Sequence, residues 1–426
     1  MDYFVIKGGN ELSGQIEVSG MKNAAVAVIF ACFLIEDKCV LENVPDISDV
    51  RTSFAILKAM GATVRYLTET TVEIDCTHAE GSCSPFELVR NMRASYYLVG
   101  AELGRFGKAK TGCPGGCDFG IRPIDQHIKG FEALGAEVTS EGGYIEGKAE
   151  SGRLKGANIY FDRVSVGATM NIIIASVLAE GNTVIENAAR EPHIVDLANF
   201  LNTCGAKITG AGTDVIKIKG VSSLHGCTYA LIPDMIEAGT YMIAAAATES
   251  RLKITNVIPK HLESISAKLE EMGVEIEEHD DFVVVSRKGK LKKANILTQP
   301  YPGFPTDMNP QMCTLLCLAE GVSNMTENVW DNRFRYVDEL TKMGASIKVV
   351  GKTAVIEGGS CFTAAPVRAV DLRAGAAMII AGLCASGKTT IEDIHHIKRG
   401  YYDIVGKLRS VGADIREVSV ADNKQT

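Results

Sequence analysis

Hydrophobic and polar positions recur in the same order six times along this chain of 426 residues. Each time, an amphipathic stretch such as "VRTSFAILKA" or "HLESISAKLEE" ends near a glycine, and a run of β-branched residues follows. Apolar positions three and four apart indicate a helix, glycine is typical of a helix C-terminus, and β-branched runs indicate a strand. The pattern predicts a repeated helix–glycine–strand unit.

The glycines of this signature set the length of the repeat. They are Gly61, Gly135, Gly205, Gly273, Gly344 and Gly412. Successive glycines are between 68 residues (344 to 412) and 74 residues (61 to 135) apart. Six repeats of roughly 71 residues therefore account for the whole chain, as expected of a repeat architecture.

A second signature precedes each amphipathic stretch: a helix rich in small residues, then a short strand that ends at Asn or Asp. The strand ends are Asn43, Asn187, Asn256, Asn328 and Asp393. The second repeat lacks this signature, and "AKTGCPGGC" stands in its place. The pattern predicts that each repeat contains a strand, a helix, a second strand and a second helix, with extra strands. This is an α/β arrangement. Since three units can close around one core, we predict two pseudo-threefold domains that divide near residue 230.

Length and charge agree with this organisation and exclude some functions. A chain of 426 residues exceeds the size at which a single core keeps growing. The formal net charge of −8, without a long Lys/Arg block, argues against a general nucleic-acid binder. The longest apolar run, "AAVAVIFACFLI", is too short to cross a bilayer, and the polar start lacks a signal-peptide pattern. We expect a cytoplasmic protein without membrane insertion.

The cysteines raise a separate question at "TGCPGGCDFGIRP", where Cys113 and Cys117 flank a Pro-Gly-Gly turn. Twelve cysteines are too few for a disulfide scaffold, and in a reducing compartment we expect free thiols. Zinc is disfavoured because there is no C-x2-C pair and no second ligand pair. Another four-spaced pair, Cys313 and Cys317, lies on an apolar helical pattern that indicates core packing. A redox pair or a single reactive thiol remains open for the loop.

The loops that follow the strand ends are equivalent in all six units and carry polar residues. These are Arg51, Arg122, Glu191 with His193, His261, Arg333 and Arg399. Each alone could be a helix cap. Several of them at one place would form an anion site, because helix N-termini and arginines both bind anions.

Nine motifs distributed from end to end resemble the enolpyruvyl transferase family, most closely its UDP-N-acetylglucosamine 1-carboxyvinyltransferase branch. They are "SGMKNAA", "NMRAS", "PGGCDFGIRPID", "DRVSVGAT", "ENAAREPHIVD", "GFPTDM", "ENVWDNRF", "DLRAGAA" and "HIKRGY". The 5-enolpyruvylshikimate-3-phosphate synthases share the fold but use a shikimate acceptor. The "PGGC" loop favours the UDP-sugar branch.

The resemblance implies an inside-out α/β barrel fold: two pseudo-threefold domains built from six βαβαββ repeats, with helices inside and sheets outside. The first domain would cover residues 22–230 and carry the Cys117 loop. The second would cover 1–21 plus 231–426, with the active site in the cleft between them. The implied reaction moves the enolpyruvyl group of phosphoenolpyruvate to the 3'-hydroxyl of UDP-N-acetylglucosamine and releases phosphate, the first committed step of peptidoglycan biosynthesis. No metal or organic cofactor is implied.

The resemblance also implies roles for individual residues. Cys117 corresponds to the proton donor, whereas Cys113 has no assigned role. Asp307 corresponds to the group that takes or orients the acceptor hydroxyl proton, and Lys22 with Asn23 to a phosphoenolpyruvate contact. Arg93, Arg122 and Arg399 correspond to the guanidinium groups around phosphate and carboxylate, and Asp371 and Arg373 either join that network or form a structural ion pair.

Three further segments correspond to the nucleotide-sugar site. The uridine segment is Arg122, Pro123, Ile124, Asp125 and Gln126, the diphosphate segment is Arg163, Val164, Ser165 and Val166, and Val329 is a sugar contact. His127, Glu191 and His193 are expected to support them. Ser48 and Met235 stand where many members of the family carry basic residues, which puts peripheral anion contacts in doubt.

Two alternatives remain beside this assignment. One is an enolpyruvyl transferase with another acceptor, and the other is a non-catalytic paralogue that binds a UDP-sugar. The second is disfavoured because a binding protein has no need of a proton donor and a base together. The resemblance also predicts that fosfomycin, a phosphonate epoxide, alkylates Cys117.

Overall fold

The computed structural model describes residues 2–81, 84–90, 92–112 and 124–419. Its contacts divide the chain into two compact units. The first unit is Gly20–Ile232, and the second unit is Met1–Ser19 together with Pro233–Thr426. Each unit contains three of the six glycine signatures, so the repeats are shared equally between the units.

The chain begins with two strands of the second unit, β1 (Asp2–Lys7) and β2 (Ser13–Glu17). The helices of the first unit are α1 (Lys22–Ala31), α2 (Ser48–Ala59), α3 (Phe86–Val89), α4 (Tyr96–Phe106), α5 (Asp125–Ala133), α6 (Val166–Ser176) and α7 (Pro192–Thr203). Its strands are β3 (Lys38–Glu42), β4 (Thr63–Tyr66), β5 (Val72–Asp75), β6 (Lys108–Gly112), β7 (Ala136–Glu141), β8 (Tyr144–Ala149), β9 (Asn158–Tyr160), β10 (Asn182–Glu186), β11 (Lys207–Thr209), β12 (Val215–Lys219) and β13 (Thr228–Ala230).

The remaining elements belong to the second unit. Its helices are α8 (Met235–Ala247), α9 (Glu263–Glu271), α10 (Asn309–Leu318), α11 (Val337–Lys342), α12 (Leu372–Cys384) and α13 (Ile404–Ser410). Its further strands are β14 (Arg251–Thr255), β15 (Glu275–Glu278), β16 (Phe282–Ser286), β17 (Asn295–Leu297), β18 (Val322–Thr326), β19 (Ser346–Val350), β20 (Thr353–Glu357), β21 (Pro366–Arg368), β22 (Lys388–Glu392) and β23 (Asp414–Ser419).

The helices rich in small residues form the core of each unit. In the first unit α4 packs against both α1 and α6, and in the second unit α8, α10 and α12 pack against one another. Every residue of α8 is buried, and α12 is buried from Arg373 to Leu383. A helix that is apolar on all sides is stable only in such a position. The amphipathic helices, α2, α5, α7, α9, α11 and α13, retain exposed faces.

One sheet accompanies each repeat. The strand orders are β13-β3-β5-β4, β6-β8-β7 and β11-β12-β10-β9 in the first unit, and β15-β16-β14-β2, β17-β18-β20-β19 and β21-β22-β1-β23 in the second. With helices inside and sheets outside, each unit is an inside-out α/β barrel, which confirms the predicted fold class. Within the described residues, the sheet of the second repeat has three strands where the others have four.

The six signature glycines end the amphipathic stretches as predicted. All six have a positive φ, from 83° at Gly135 to 102° at Gly412. After α2, Gly61 N–H donates to Lys58 and Ala62 N–H donates to Leu57, each to the backbone carbonyl. This is the hydrogen-bond pattern of a glycine that closes a helix in the left-handed conformation.

In each parallel pair, one strand follows a core helix, and the residue after that strand, here called the junction residue, fixes where the next loop begins. In five repeats, the residue just beyond the other strand of the pair donates a backbone hydrogen bond to the last residue of the strand that follows the core helix. The junction residues that follow are Asn43, Asn187, Asn256, Glu327 and Asp393.

The side chains of the junction residues join the two parallel strands. The amides of Asn43, Asn187 and Asn256 donate to the carbonyls of Leu231, Phe161 and Val18, at 2.9, 2.8 and 2.6 Å. All three asparagines have φ between 54° and 56°, a left-handed conformation that Asn tolerates better than most residues. Asp393 instead accepts from Arg368 Nε at 2.8 Å. In these four repeats the recurring Asn or Asp therefore serves the strand junction.

The assignment of Asn328 as the strand end of the fifth repeat is wrong by one residue. Thr298 N–H donates to the Thr326 carbonyl, which places Glu327 at the junction position. Asn328 lies one residue further, where its N–H donates to Thr298 Oγ1 at 2.9 Å. The sequence pattern matched the nearest asparagine, whereas only the strand register identifies the equivalent residue.

No described helix combines the length and the apolar character that crossing a membrane requires.

A buried acid, Glu102, links α4 to β6 in the second repeat. Its side chain is 1% exposed, and its Oε2 accepts from Thr111 Oγ1 at 3.2 Å. Burial raises the pKa of Glu102 to about 8, although hydrogen bonds from Thr111 and the Lys110 backbone oppose this shift. Burial therefore favours the protonated form of Glu102 at neutral pH.

We predict that Glu102→Gln makes the protein more stable in mildly alkaline buffer. Between about pH 4.3 and about pH 8, the folded state binds more protons than the unfolded state, so stability falls as pH rises. Glutamine removes this dependence, so the stability advantage of the variant over the parent should grow by roughly 3.5 kcal/mol from pH 5 to pH 8. Thermal unfolding between pH 5 and 8.5 measures this, with the exposed Glu150→Gln as control. Parallel curves for parent and variant would disprove the prediction.

Candidate active site

Several residues selected by the sequence lie outside the described residues. They are Cys113, Cys117, Arg122 and Pro123, and the side chain of Arg93 is also outside. The proposed proton donor is among them, so its role stays a prediction. The other selected residues form clusters, described for each unit separately.

Lys22 opens the core helix α1 of the first unit and is bound by an aspartate. Its Nζ lies 2.9 Å from Oδ2 of Asp49, and the two side chains are 15% and 7% exposed. Asp49 lies in the first turn of α2, where a carboxylate is favoured by the helix dipole. Ser48 begins the same helix. The ion pair holds the lysine side chain at the start of α1, next to Asn23.

The uridine and diphosphate segments are adjacent in the first unit. Gln126 donates to Oδ2 of Asp125 at 3.1 Å and of Asp162 at 3.3 Å, and its carbonyl accepts from Asp162 N–H at 2.9 Å. Arg163 forms an ion pair with Asp125. Burial alone would raise the pKa of Asp125, but hydrogen bonds from Gln126 and the charge of Arg163 lower it overall. These bonds connect the start of α5 to the segment before α6.

The start of the core helix α6 follows directly. Ser165 is its N-cap, and Ser165 Oγ accepts from Ala168 N–H at 3.3 Å. Val166 is the first helical residue, and Val164 is 40% exposed. A helix N-terminus with a neighbouring arginine is suited to a phosphate group. His127 is buried beside this segment, with Nδ1 3.0 Å from the amide nitrogen of Asn171.

In the second unit, Asp307 is bound by two buried arginines. Its Oδ2 lies 2.9 Å from Nη2 and 3.1 Å from Nε of Arg373, and its Oδ1 lies 3.5 Å from Nη2 of Arg333. The arginine side chains are 4% and 2% exposed, whereas that of Asp307 is 32% exposed. Burial alone would lower the pKa of Arg373, but the Asp307 charge raises it overall, so the guanidinium stays charged. The aspartate is the accessible member of this trio.

Asp371 and Arg373 do not form the ion pair that the sequence left open. Asp371 is the N-cap of α12, where its Oδ1 accepts from the backbone N–H groups of Arg373 and Ala374 at 2.8 and 2.9 Å. The Arg373 side chain pairs with Asp307 instead. Within the described residues, Oδ2 of Asp371 is buried without a hydrogen-bond partner.

Arg399 ends a short 3-10 turn, Ile397–Arg399, and is half-buried. The pKa of the neighbouring His396 is lowered, first by burial and then by the charges of His395 and Arg399, while Asp371 opposes the shift. The charges of Arg399 and Asp371 therefore both influence the His396 side chain, in opposite directions. Met235 begins α8 and is 6% exposed.

Among the equivalent loops that the structure describes, the polar residues have different surroundings. Arg51 is bound on the surface by Asp46, with Nε 2.5 Å from Oδ1, and its side chain is 65% exposed. Arg333, at the corresponding place in the fifth repeat, is buried against Asp307. His193 is buried in the first turn of α7, and His261 ends a 3-10 turn before α9. An equivalent position in the repeat is therefore not enough to identify a residue as part of a functional site.

Glu327 is a functional candidate that the sequence analysis did not select. It is 1% exposed. Its Oε1 accepts from the N–H groups of Val329 and Trp330 at 2.9 and 3.0 Å. Its Oε2 accepts from Thr306 Oγ1 and Asn309 Nδ2 at 3.0 and 2.9 Å. Glu327 therefore joins the turn that carries Asp307 to the segment that carries Val329. No signal in the sequence marked it, because only the strand register places Glu327 at the junction.

We predict that Glu327→Gln is destabilising although the side chains have the same shape. All four groups that face the carboxylate donate hydrogen bonds, and a glutamine amide cannot accept at both positions. Loss of two buried hydrogen bonds should cost about 2 kcal/mol. Urea unfolding of the variant measures this, and Glu278→Gln, at an exposed position, is the control. Equal stability of both variants and the parent would contradict the arrangement described.

The fold is that of enolpyruvyl transferases. The solved structure of the enolpyruvyl transferase NikO from Streptomyces tendae superimposes with a TM-score of 0.88 at 28% identity, covering 99% of both chains. A structure of EPSP synthase from Acinetobacter baumannii, at 19% identity, shares the fold with a TM-score of 0.77.

The family model of EPSP synthase (3-phosphoshikimate 1-carboxyvinyltransferase) matches residues 6–408, so the chain belongs to this family. Among its relatives, UDP-N-acetylglucosamine 1-carboxyvinyltransferase 3 of Caldanaerobacter subterraneus subsp. tengcongensis is 56% identical. A UDP-N-acetylglucosamine 1-carboxyvinyltransferase of Clostridium botulinum is also 56% identical. Both alignments cover 97% of this chain and 99% of the relative. The resemblance drawn from the sequence motifs is confirmed.

Proposed function

We propose that this protein transfers the enolpyruvyl group of phosphoenolpyruvate to the 3'-hydroxyl of UDP-N-acetylglucosamine. The observation that carries the proposal is 56% identity over nearly the full chain with enzymes named for this reaction. Protonation of C3 of phosphoenolpyruvate makes C2 electrophilic, and the sugar oxygen then bonds to C2. Loss of the C3 proton and of phosphate restores the double bond. The reaction belongs to peptidoglycan synthesis, and we place it in the cytoplasm.

Asp307 is the proposed partner of the acceptor hydroxyl. Two guanidinium groups stabilise its ionised form, and an ionised carboxylate can only accept hydrogen bonds. Because both arginines are buried and fixed, the carboxylate is held in one orientation before the substrate binds. The partly exposed carboxylate is therefore suited to orient the hydroxyl and to receive its proton as the oxygen attacks.

The cations have a separate role in this proposal. Phosphoenolpyruvate carries up to three negative charges, and its addition intermediate must be stabilised by fixed positive groups. Lys22, Arg93, Arg122 and Arg399 are the proposed contacts. The Asp49 partner keeps the Lys22 ammonium in a defined position, and the arginines offer the planar fork that matches phosphate and carboxylate.

Cys117 is the proposed proton donor to C3. The reference pKa of a thiol, near 8.5, can be lowered by adjacent cations, so a cysteine can exchange a proton near neutral pH. The nucleotide is proposed to bind at Ile124, Asp125 and Gln126 and at the segment 163–166, with Val329 at the sugar.

We predict that phosphate is released from phosphoenolpyruvate only when UDP-N-acetylglucosamine is present. Replacing Asp307 by Ala should lower kcat by about 100-fold or more, since a positioned general base contributes at least that much. The exposed Asp280→Ala is the control and should keep the parent's rate. A coupled phosphate assay, run in parallel with shikimate 3-phosphate as acceptor, measures both effects.

Two outcomes would overturn this proposal. Phosphate release with shikimate 3-phosphate alone would favour a transferase with another acceptor. Tight binding of UDP-N-acetylglucosamine in calorimetry without any turnover would favour a non-catalytic binding protein.

We predict a covalent adduct of fosfomycin on Cys117. The thiolate sulfur bonds to an epoxide carbon, the C–O bond opens and the oxygen takes a proton, so the whole inhibitor is added. Intact-mass analysis should show one added inhibitor molecule in the parent and in Cys113→Ser, but none in Cys117→Ser. An adduct that persists in Cys117→Ser would refute the assignment.

A further inference from the structure

A cluster of thiols in the first unit takes no part in the proposed reaction. Cys204 and Cys227 are the closest pair, with their sulfur atoms 3.3 Å apart. The Cys39 thiol is close to both sulfurs. The described His, Cys, Asp and Glu side chains include no set of three placed to hold a metal ion. Thiol–disulfide chemistry therefore suits this contact better than metal binding.

The two cysteines belong to different elements that meet at one place. Cys204 is the C-cap residue of α7, and Cys227 directly precedes β13. The carbonyl of Cys227 accepts from Val40 N–H at 2.8 Å, which fixes its backbone against β3. A disulfide bond is about 2.05 Å long, so the sulfurs need to approach by only about 1.2 Å.

Access to the pair is one-sided. Cys204 and Cys39 are both 0% exposed, whereas Cys227 is only half-buried. An oxidant from solution would therefore meet Cys227 first. Cys204 is in place to complete the bond from the interior.

We propose that Cys204 and Cys227 are a reversible disulfide site that low-molecular-weight disulfides, such as oxidised glutathione, convert to its bonded form. The Cys227 thiolate attacks the glutathione disulfide, forms a mixed disulfide and releases one glutathione thiol. Cys204 then loses its proton and attacks the Cys227 sulfur, which releases the second glutathione thiol. Two protein thiols are oxidised, and one glutathione disulfide is reduced to two thiols.

The Cys204–Cys227 disulfide would reinforce the contact between α7 and β13, and the chain that follows β13 is bonded to the residue before α1. Asp196 of α7 already accepts from Tyr229 of β13, with Tyr229 Oη 2.7 Å from Oδ1. Two residues beyond β13, the carbonyl of Ile232 accepts from Met21 N–H at 2.8 Å. Met21 precedes Lys22. The disulfide would therefore join α7 covalently to the residue that precedes β13. The chain just after β13 holds Met21, which directly precedes Lys22.

The test is oxidation of the purified full-length protein with excess oxidised glutathione in the presence of EDTA. Remaining thiols are alkylated in denaturant, and the protein is digested without reduction. We expect one cross-linked peptide pair joining Cys204 to Cys227, which dithiothreitol abolishes. The unfolding temperature should rise by about 5 °C on oxidation.

Matched variants test whether the oxidant reacts first with Cys227 and not with Cys204. In Cys204→Ser, Cys227 should carry glutathione as a mixed disulfide, whereas in Cys227→Ser the buried Cys204 should stay reduced. Neither variant should gain thermal stability. Cys313 and Cys317 are a control within the chain, since both are 0% exposed and should be alkylated in full.

Three results would overturn the proposal. In the first, Cys204 and Cys227 both remain reduced. In the second, oxidation of the parent stops at a mixed disulfide on Cys227. In the third, Cys39 is bonded to either sulfur in place of the Cys204–Cys227 pair. Each of these results is independent of whether the protein transfers an enolpyruvyl group.

Discussion

The hydrogen bonds at the strand junctions are the constraint on which the functional loops depend. In each of five repeats the end of one strand is tied to its parallel neighbour, and the loop toward the amphipathic helix starts from that point. Asparagine serves three junctions with nearly identical backbone angles. In the fifth repeat Glu327 takes this position and directs its bonds toward the Asp307 turn and the Val329 segment. One junction therefore also connects the turn that carries Asp307 to the segment that carries Val329.

The fold could be predicted from the sequence wherever a local rule applies. Gly61 and its five counterparts were identified because a left-handed helix end admits few residues other than glycine. The core helices were recognisable from their small and apolar residues, since no polar face remained to meet water. The register at Asn328 was missed because it depends on pairing with β17, which no local pattern encodes.

The site could be predicted less completely. Asp307 was selected through its motif, and the loop of Arg333 through the repeat. That Arg333 and Arg373 both bind Asp307 was not foreseeable, because buried ion pairs join residues far apart in the chain without any periodic signal. Arg51 shows the difference: the same loop position in the first repeat is bound locally by Asp46. The environment, more than the position in the repeat, determines what an arginine does.

The place of β1 has a consequence for the synthesis of the protein. This strand lies between β22 and β23, so residues 2–7 pair with residues 388–391 and 414–419. All residues of the first unit have been added once Ile232 is in place, whereas the sheet of β1 lacks both neighbouring strands until the last part of the chain emerges from the ribosome. Strand β1 is therefore translated long before its two neighbours and is among the last strands to be paired. An unpaired strand edge is prone to wrong association, so the nascent chain must keep this apolar strand from other partners throughout translation.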